Sequence, residues 1–145
     1  MMFEPSQEKS QKAHQLIEQL FANSVEDADK YTVAYAYFMK SGPFSKKVFN
    51  YVVGFSVQDK EIVVVPTDSD IAEAGEVIKL SESNIESAKY GLQGDVKIKS
   101  SVLEKELRFV LPAYVPTTLE AAYILPILQE ETAVAFKDFI KNLNK

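Results

Sequence analysis

The chain contains one histidine, His14, and no cysteine, which restricts the nucleophilic chemistry open to it. Without cysteine there are no disulfides, thiolate zinc sites, iron–sulfur clusters or thiol nucleophiles. A serine triad would have to use His14 as its base, and no G-x-S-x-G motif supports that role. His14 stands among Gln11, Lys12 and Gln15, which do not suggest the partners that acid–base work requires. The sequence therefore predicts an ordinary surface or boundary histidine.

A cluster of carboxylates in the middle of the chain resembles part of a cation site. Asp68 and Asp70 are two positions apart, and Glu73 and Glu76 follow. Calcium takes roughly six to eight oxygen ligands, and an EF-hand loop needs a glycine and a final glutamate at set spacings. Gly75 stands at the wrong position for that pattern. We therefore predict a solvated acidic loop and no metal, with a cation site as the alternative.

A second pair of carboxylates, Glu104 and Glu106, would share one face of a strand, because side chains two residues apart do so. Paired carboxylates perform acid–base catalysis where their surroundings separate their pKa values. Lys105 and Arg108 stand close by, and our interpretation is a charged strand edge that discourages aggregation. No glycine-rich phosphate loop is present. The sequence predicts no catalytic residue, no cofactor and no enzyme, with a carboxylate-based enzyme as the least favoured alternative.

Aromatic residues crowd the segment that the pattern assigns to the first two strands. Phenylalanine and tyrosine are favoured in strands, so core packing is the default interpretation. The alternative is an apolar ligand cleft or a partner surface, where the same residue types are enriched. In that case Phe44, Lys46 and Lys47 would form its rim, and they are the candidate ligand-binding residues. The aromatics are Tyr31, Tyr35, Tyr37, Phe44, Phe49, Tyr51 and Phe55.

Hydrophobic spacing predicts the elements that would hold these residues. After start signals at Pro5 and Ser6, a helical stripe is formed by Ala13, Leu16, Ile17, Leu20 and Phe21. The period then changes to two, and no helix interrupts the pattern, which favours antiparallel pairing. The predicted strands, about seven in number, are 31–40, 49–57, 62–65, 77–80, 85–90, 96–101 and 106–111.

The last part of the chain is predicted to return to helix. Thr117 to Glu120 form a capping box, and a short helix would run to Leu125, where Pro126 ends or kinks it. Whether one kinked helix or two follows is left open. From Glu130 an apolar stripe resumes at Ala133, Phe136, Phe139, Ile140 and Leu143.

These elements predict a single α+β domain over residues 1–145. It would comprise an N-terminal helix and loop (1–30), an antiparallel sheet (31–112) and a C-terminal helical region (113–145). The formal net charge of −5, with scattered lysines, predicts no nucleic-acid partner. No apolar run is long enough to cross a bilayer, and the polar N-terminus lacks a signal-peptide pattern. We therefore expect a cytoplasmic protein with no transmembrane segment.

The pattern from residue 31 to residue 143 resembles a pleckstrin-homology-like (PH-like) domain of the bacterial or GRAM-like type. The resemblance is carried by a hairpin, three further strand segments and the final helix. It implies a seven-stranded antiparallel bent sheet or partly open barrel, closed at one end by the C-terminal helix, with the N-terminal helix as an addition. The segments are Asn50–Phe55, Ile62–Val65, Gly75–Leu80, Asn84–Lys89, Glu106–Val110 and Phe136–Ile140.

Two features depart from the pattern of that family. Its eukaryotic members carry a tryptophan in the final helix, and this chain has none. Its phosphoinositide-binding members place lysines and arginines around the first hairpin. Lys40, Lys46 and Lys47 are present here, but Val48 stands where an arginine is needed. The resemblance therefore does not imply phosphoinositide binding.

The expected function is a non-catalytic binding or scaffolding module of this PH-like type. Its partner would be a protein, a peptide or a second copy of the chain, taken up at an open sheet edge or a loop-lined end. The alternative is a small barrel that encloses an apolar ligand such as a lipid, in a cavity of roughly a few hundred cubic ångströms.

Overall fold

The computed structural model describes residues 5–92, 94–115 and 125–143, without the side chains of Ser41 and Lys46. The described residues form an α+β fold with one helix near each end and antiparallel strands between them. The elements are α1 (Gln7–Ser24), a 3₁₀ turn (Ala28–Lys30), β1 (Thr32–Ser41), β2 (Lys46–Ser56), β3 (Glu61–Thr67), β4 (Ile78–Ser81), β5 (Ile85–Tyr90), β6 (Val96–Ser100), β7 (Leu107–Phe109), β8 (Tyr114–Val115), β9 (Ile127–Leu128) and α2 (Glu130–Leu143).

Helix α1 begins where the sequence predicts. Ser6 is the N-cap, and its side chain accepts a hydrogen bond from the Lys9 N–H at 3.1 Å. This bond satisfies one of the backbone donors that have no partner in the first turn of a helix. The predicted apolar stripe is confirmed except at Leu16, which is 43% exposed, whereas Ser10 is buried.

The strands of the described residues form three antiparallel sheets: sheet A in the order β1-β2-β3-β4, sheet B in the order β5-β6-β7, and sheet C from β8 and β9. The prediction of one seven-stranded sheet is therefore wrong, and in this part of the chain the sheets do not close into a barrel. An isolated backbone bridge joins sheets A and B at Tyr37 and Val110. Its two N–H to carbonyl hydrogen bonds measure 3.0 and 2.7 Å.

A glutamine side chain takes the place of a strand beside β1. The amide of Gln129 accepts a hydrogen bond from the Tyr35 N–H at 2.9 Å and donates to the Tyr35 carbonyl at 2.8 Å. It also donates to the Pro112 carbonyl at 2.9 Å. The amide thus satisfies two buried backbone groups that a neighbouring strand would otherwise pair. Because Gln129 occupies this edge of β1, the backbone hydrogen bonds described between β1 and the end of sheet B are those of Tyr37.

Sheet A is covered on both faces, so its period-two alternation separates two cores. On β3, Ile62 and Val64 face a core shared with sheet B and α2, whereas Val63 and Val65 face a core shared with α1. All four side chains are fully buried. The continuous apolar run of β3 is therefore explained by burial on both of its faces.

Helix α2 packs aromatic rings into the space between sheets A and B. The Phe136 ring centroid lies 5.1 Å from that of Phe55 and 6.0 Å from that of Phe109. The centroids of Phe139 and Phe55 are 5.4 Å apart. Aromatic pairs of this kind contribute about 0.5–1.5 kcal/mol each beyond their burial. The helix and stripe predicted from Glu130 onward are confirmed.

The region before α2 departs from the prediction of helix. Tyr114–Val115 and Ile127–Leu128 pair as the two short strands of sheet C. The predicted capping box at Thr117–Glu120 lies outside the described residues, as does the helix expected before Leu125. The division into a sheet up to residue 112 and a helical region after it is therefore too simple.

Candidate functional site

Strands β1 and β2 form a long hairpin whose turn carries the candidate ligand-binding residues. In the register of the hairpin, Ser41 is opposite Lys46 and Lys40 is opposite Lys47. Phe44 lies in the turn and is 99% exposed. The turn therefore brings three lysine positions close to one solvent-exposed aromatic ring. Lys40 and Lys47 are directly opposite each other, where like charges on neighbouring strands repel.

The hairpin contains no acidic residue to balance these lysines. From residue 31 to residue 58 the sequence has neither aspartate nor glutamate, although the whole chain has a net charge of −5. The tip of the hairpin is therefore a local concentration of positive charge on an acidic protein, and such a region attracts anions.

Two aromatic rings lie behind the tip. Phe38 and Phe49 are directly opposite each other, and Phe49 is 41% exposed. Because side chains two residues apart on a strand share a face, these rings lie on the same face as Lys40 and Lys47. The guanidinium carbon of Arg108 lies 5.1 Å from the Phe38 ring centroid, within cation–π range. We use the name hairpin tip surface for Lys40, Phe44, Lys47 and Phe49.

Asp95 holds Arg108 in place from a second side. The Asp95 carboxylate accepts hydrogen bonds from Arg108 Nη2 at 2.9 Å and Nε at 3.2 Å. The Arg108 guanidinium keeps the pKa of this buried carboxyl below its usual range, and the charge of Lys97 adds to the effect. Nothing in the sequence pattern indicates this pair, because its members are brought together only by the pairing of β6 with β7.

The candidate ligand-binding residues are thus placed together, but not at a cleft. Phe44 and Lys47 line neither of the two clefts described below, and Lys46 occupies the first position of β2. Their part in ligand binding stays a prediction.

The other aromatics of this region serve the core, as the default interpretation predicts. Tyr31, Tyr35 and Phe55 are each at most 7% exposed. The Tyr35 hydroxyl donates to the Asn50 side chain and accepts a hydrogen bond from the Leu125 N–H at 3.3 Å. Burial raises the pKa of Tyr35 well above its ordinary value. This hydroxyl is therefore a structural hydrogen-bonding group.

The clefts in the surface of the described residues include the following two. Both are open to solvent, whereas the rings of α2 fill the space between the two larger sheets. The larger cleft, about 490 Å³, is lined by residues that include Pro66, Val77, Ile78, Val102 and Leu103. The smaller one, about 200 Å³, is lined by residues that include Val57, Lys60, Asp138, Phe139 and Leu143.

His14 forms a hydrogen bond with the main chain. Its Nε2 donates to the Leu128 carbonyl at 2.7 Å, and the side chain is half-buried. Ser10 Oγ accepts a hydrogen bond from the Leu128 N–H at 2.9 Å. The predicted boundary position of His14 is confirmed, and the two side chains attach α1 to β9.

The acidic loop that contains Asp68 is held by hydrogen bonds between its own residues. Asp68 accepts hydrogen bonds from the Ala72 N–H at 2.8 Å and the Glu73 N–H at 3.4 Å, and the first of these chiefly keeps its pKa below the usual value. Ile71 adopts a φ of 56° and is buried in the core beneath α1. Across the described ranges, no three histidines or acidic residues are grouped to hold a metal. The Asp68 carboxylate is therefore explained as a structural group that accepts hydrogen bonds from the backbone of its own loop.

Glu104 and Glu106 do not lie on a strand. Both are exposed in the turn that follows β6, because pairing with β7 begins only at Leu107. The expectation that they share a strand face is wrong.

No helix within the described residues is long and apolar enough to cross a lipid bilayer. No family model, no curated protein and no solved structure matches the chain.

Proposed function

We propose that this chain is a non-catalytic binding module of the PH-like type, which docks on an anionic membrane surface through its hairpin tip surface. Support for the type of module comes from the order of the elements, in which antiparallel strands precede a C-terminal helix. The first seven strands form sheets of four and three, joined at Tyr37 and Val110, and not the single sheet that the resemblance implies. Helix α2 packs against both of these sheets.

The observation that carries the docking site is the exposure of Phe44 at the end of an acid-free hairpin. Burying a phenylalanine ring contributes about 1.5–3 kcal/mol. Each lysine near an anionic bilayer contributes about 1 kcal/mol. The Phe44 ring and the two lysines of this surface therefore supply roughly 3.5–5 kcal/mol, which corresponds to weak and reversible docking.

A bilayer explains the isolation of this ring better than a protein partner does. Energetically important residues of protein interfaces are surrounded by further contacts that exclude water. Phe44 is instead 99% exposed in the turn, whereas Phe49, the other ring of this surface, lies on β2 and is 41% exposed. An aromatic ring that enters the headgroup region while cations contact anionic lipids has this pattern.

The rings between the two larger sheets weigh against the enclosed-ligand alternative. Phe55, Phe109 and Phe136 are each at most 2% exposed and occupy the interior where a lipid would have to lie.

Co-sedimentation with vesicles tests the proposal. Wild-type protein should pellet with phosphatidylcholine vesicles that contain phosphatidylglycerol and stay in solution with phosphatidylcholine alone. Phe44→Ser should weaken binding about ten-fold and Lys47→Gln about five-fold. Leu92→Ser is the matched control, because Leu92 is also fully exposed but lies in the β5–β6 turn.

Two outcomes would reject membrane docking. One is wild-type protein that does not bind anionic vesicles, and the other is an equal loss of vesicle binding in the Phe44→Ser and Leu92→Ser variants. Sedimentation velocity on the same proteins identifies the scaffold function instead, if Phe44→Ser abolishes self-association while vesicle binding is absent.

A further inference from the structure

Three positive side chains stand side by side across sheet B. In the register of the sheet, Lys89 on β5 is directly opposite Lys97 on β6, and Lys97 is directly opposite Arg108 on β7. Neighbouring strands lie about 4.8 Å apart, so the first and third positions of this row are about 10 Å apart. We use the name cation row for these three residues.

The cation row faces away from the core. The residues that alternate with it, Ala88, Ile98 and Phe109, are fully buried between sheet B and α2. Lys89 and the Arg108 side chain are exposed, and Lys97 is half-buried.

The row is only partly neutralised. Asp95 pairs with Arg108 through Nε and Nη2, and the Arg108 side chain is 42% exposed. Among the residues that the structure describes, neither Lys89 nor Lys97 forms a salt bridge. Directly opposite like charges destabilise a sheet. This chain therefore retains a local excess of positive charge at a cost in stability.

We propose that the cation row binds an acidic peptide segment of a partner protein, which lies extended across the strands of sheet B. Carboxylates on alternate residues of an extended chain are about 6.8 Å apart. Two such groups fit within the length of the row. Arg108 is held rigid by Phe38 and Asp95, so little side-chain entropy is lost when it contacts a carboxylate.

The length and place of the row favour a short acidic segment over other anions. A nucleic-acid strand extends well beyond 10 Å and would meet the acidic residues of a chain with net charge −5. A bilayer first meets protruding turns, whereas the three cations lie within strands. The site does not depend on the hairpin tip surface, although Arg108 touches Phe38 of the same hairpin.

An NMR titration tests this proposal with a defined probe. The ¹⁵N-labelled protein is titrated with acetyl-Glu-Gly-Glu-Gly-Glu-amide, and the same peptide with glutamine in place of glutamate is the reference. The glutamate peptide should produce saturable shifts at the amides of Lys89, Lys97 and Arg108, and the reference should produce none. Lys97→Gln should weaken binding about five-fold.

The matched control is Lys99→Gln, on the same strand and face but one step away, opposite Ser87. It removes the same charge and should change the affinity by less than about two-fold. An equal loss of peptide affinity in the Lys97→Gln and Lys99→Gln variants would show that binding depends only on net charge, and it would overturn the proposal. Shifts that do not saturate, or tighter binding of inorganic triphosphate at the same amides, would overturn it too. The Phe44→Ser variant should bind the peptide with wild-type affinity. A failure of the membrane-docking proposal can therefore be distinguished from a failure of the peptide-binding proposal.

Discussion

Gly54 lies on the central strand β2, where the ring of Phe21 from α1 rests directly on its Cα. A Cβ atom added at Gly54 would lie 2.2 Å from Phe21 Cζ and 2.6 Å from Cε1. Real Cβ contacts are not this short, so the ring has to move. Phe21 is fully buried and packs edge-to-face on Tyr31, with ring centroids 5.6 Å apart. The close approach of α1 to sheet A therefore depends on a residue without a side chain at this position.

Gly54→Ala should consequently destabilise the protein. Overpacking a core costs about 1–3 kcal/mol, and the lower entropy of the unfolded chain returns about 0.4–1 kcal/mol. We expect a net loss of about 2 kcal/mol because Phe21 has no free space to enter. For a chain of this size, that loss lowers the melting temperature by roughly 4–8 °C. Urea unfolding followed by circular dichroism measures the free energy directly.

Two further variants decide whether the clash is the cause. Gly42→Ala places its Cβ 3.4 Å from the nearest atom, the Ser45 carbonyl oxygen, and should stay within about 0.5 kcal/mol of wild type. Adding Phe21→Leu to Gly54→Ala should recover about 1 kcal/mol relative to the sum of the single changes. A Gly54→Ala protein as stable as wild type, or a double mutant with no coupling, would refute the packing argument.

Two other predictions concern polar groups that join separate elements. Gln129→Ala should lower the free energy of unfolding by about 2–4 kcal/mol, because it leaves the buried N–H and carbonyl of Tyr35 without a partner; a loss below about 1 kcal/mol in urea unfolding would contradict this role. Arg108 keeps the pKa of Asp95 lower in the folded chain than in the unfolded one, so this carboxylate stabilises the fold above the unfolded value of about 3.9 and ceases to do so as pH falls through the folded pKa. Wild type should therefore be more stable than Asp95→Asn at neutral pH, and the difference should shrink in acid; a difference independent of pH would contradict the assignment.

The strands of sheets A and B could be predicted because alternation of apolar and polar residues is a local signal. Strand β5 begins and ends at the predicted residues 85 and 90, and β1 differs by one residue at each end. Helix α1 could also be predicted from the sequence, since Ser6 is a strong N-cap before a helical stripe.

Sheet C and the division into sheets could not be predicted in this way. Strands β8 and β9 have two residues each, which is too short for any periodicity to show. The edge of β1 is occupied by Gln129, a residue far along the chain whose hydrogen bonds follow from tertiary structure alone. Leu16 fits the apolar stripe by spacing, but its exposed position reflects where α1 meets sheet A.

The two candidate surfaces show how local charge differs from the net charge of the chain. A value of −5 suggests that anions are repelled, yet charges farther away than about 8 Å are largely screened at physiological salt. An approaching anion therefore responds to the side chains within about one Debye length of it. The hairpin segment 31–58 contributes lysines and no acidic residue, and sheet B contributes three cations, of which Arg108 is paired with Asp95. Both groupings depend on cross-strand register: Lys40 and Lys47 are seven positions apart in the chain, and Lys97 and Arg108 are eleven apart, yet each pair is directly opposite. Register therefore converts scattered lysines into local fields of positive charge, and the two proposals rest on these fields.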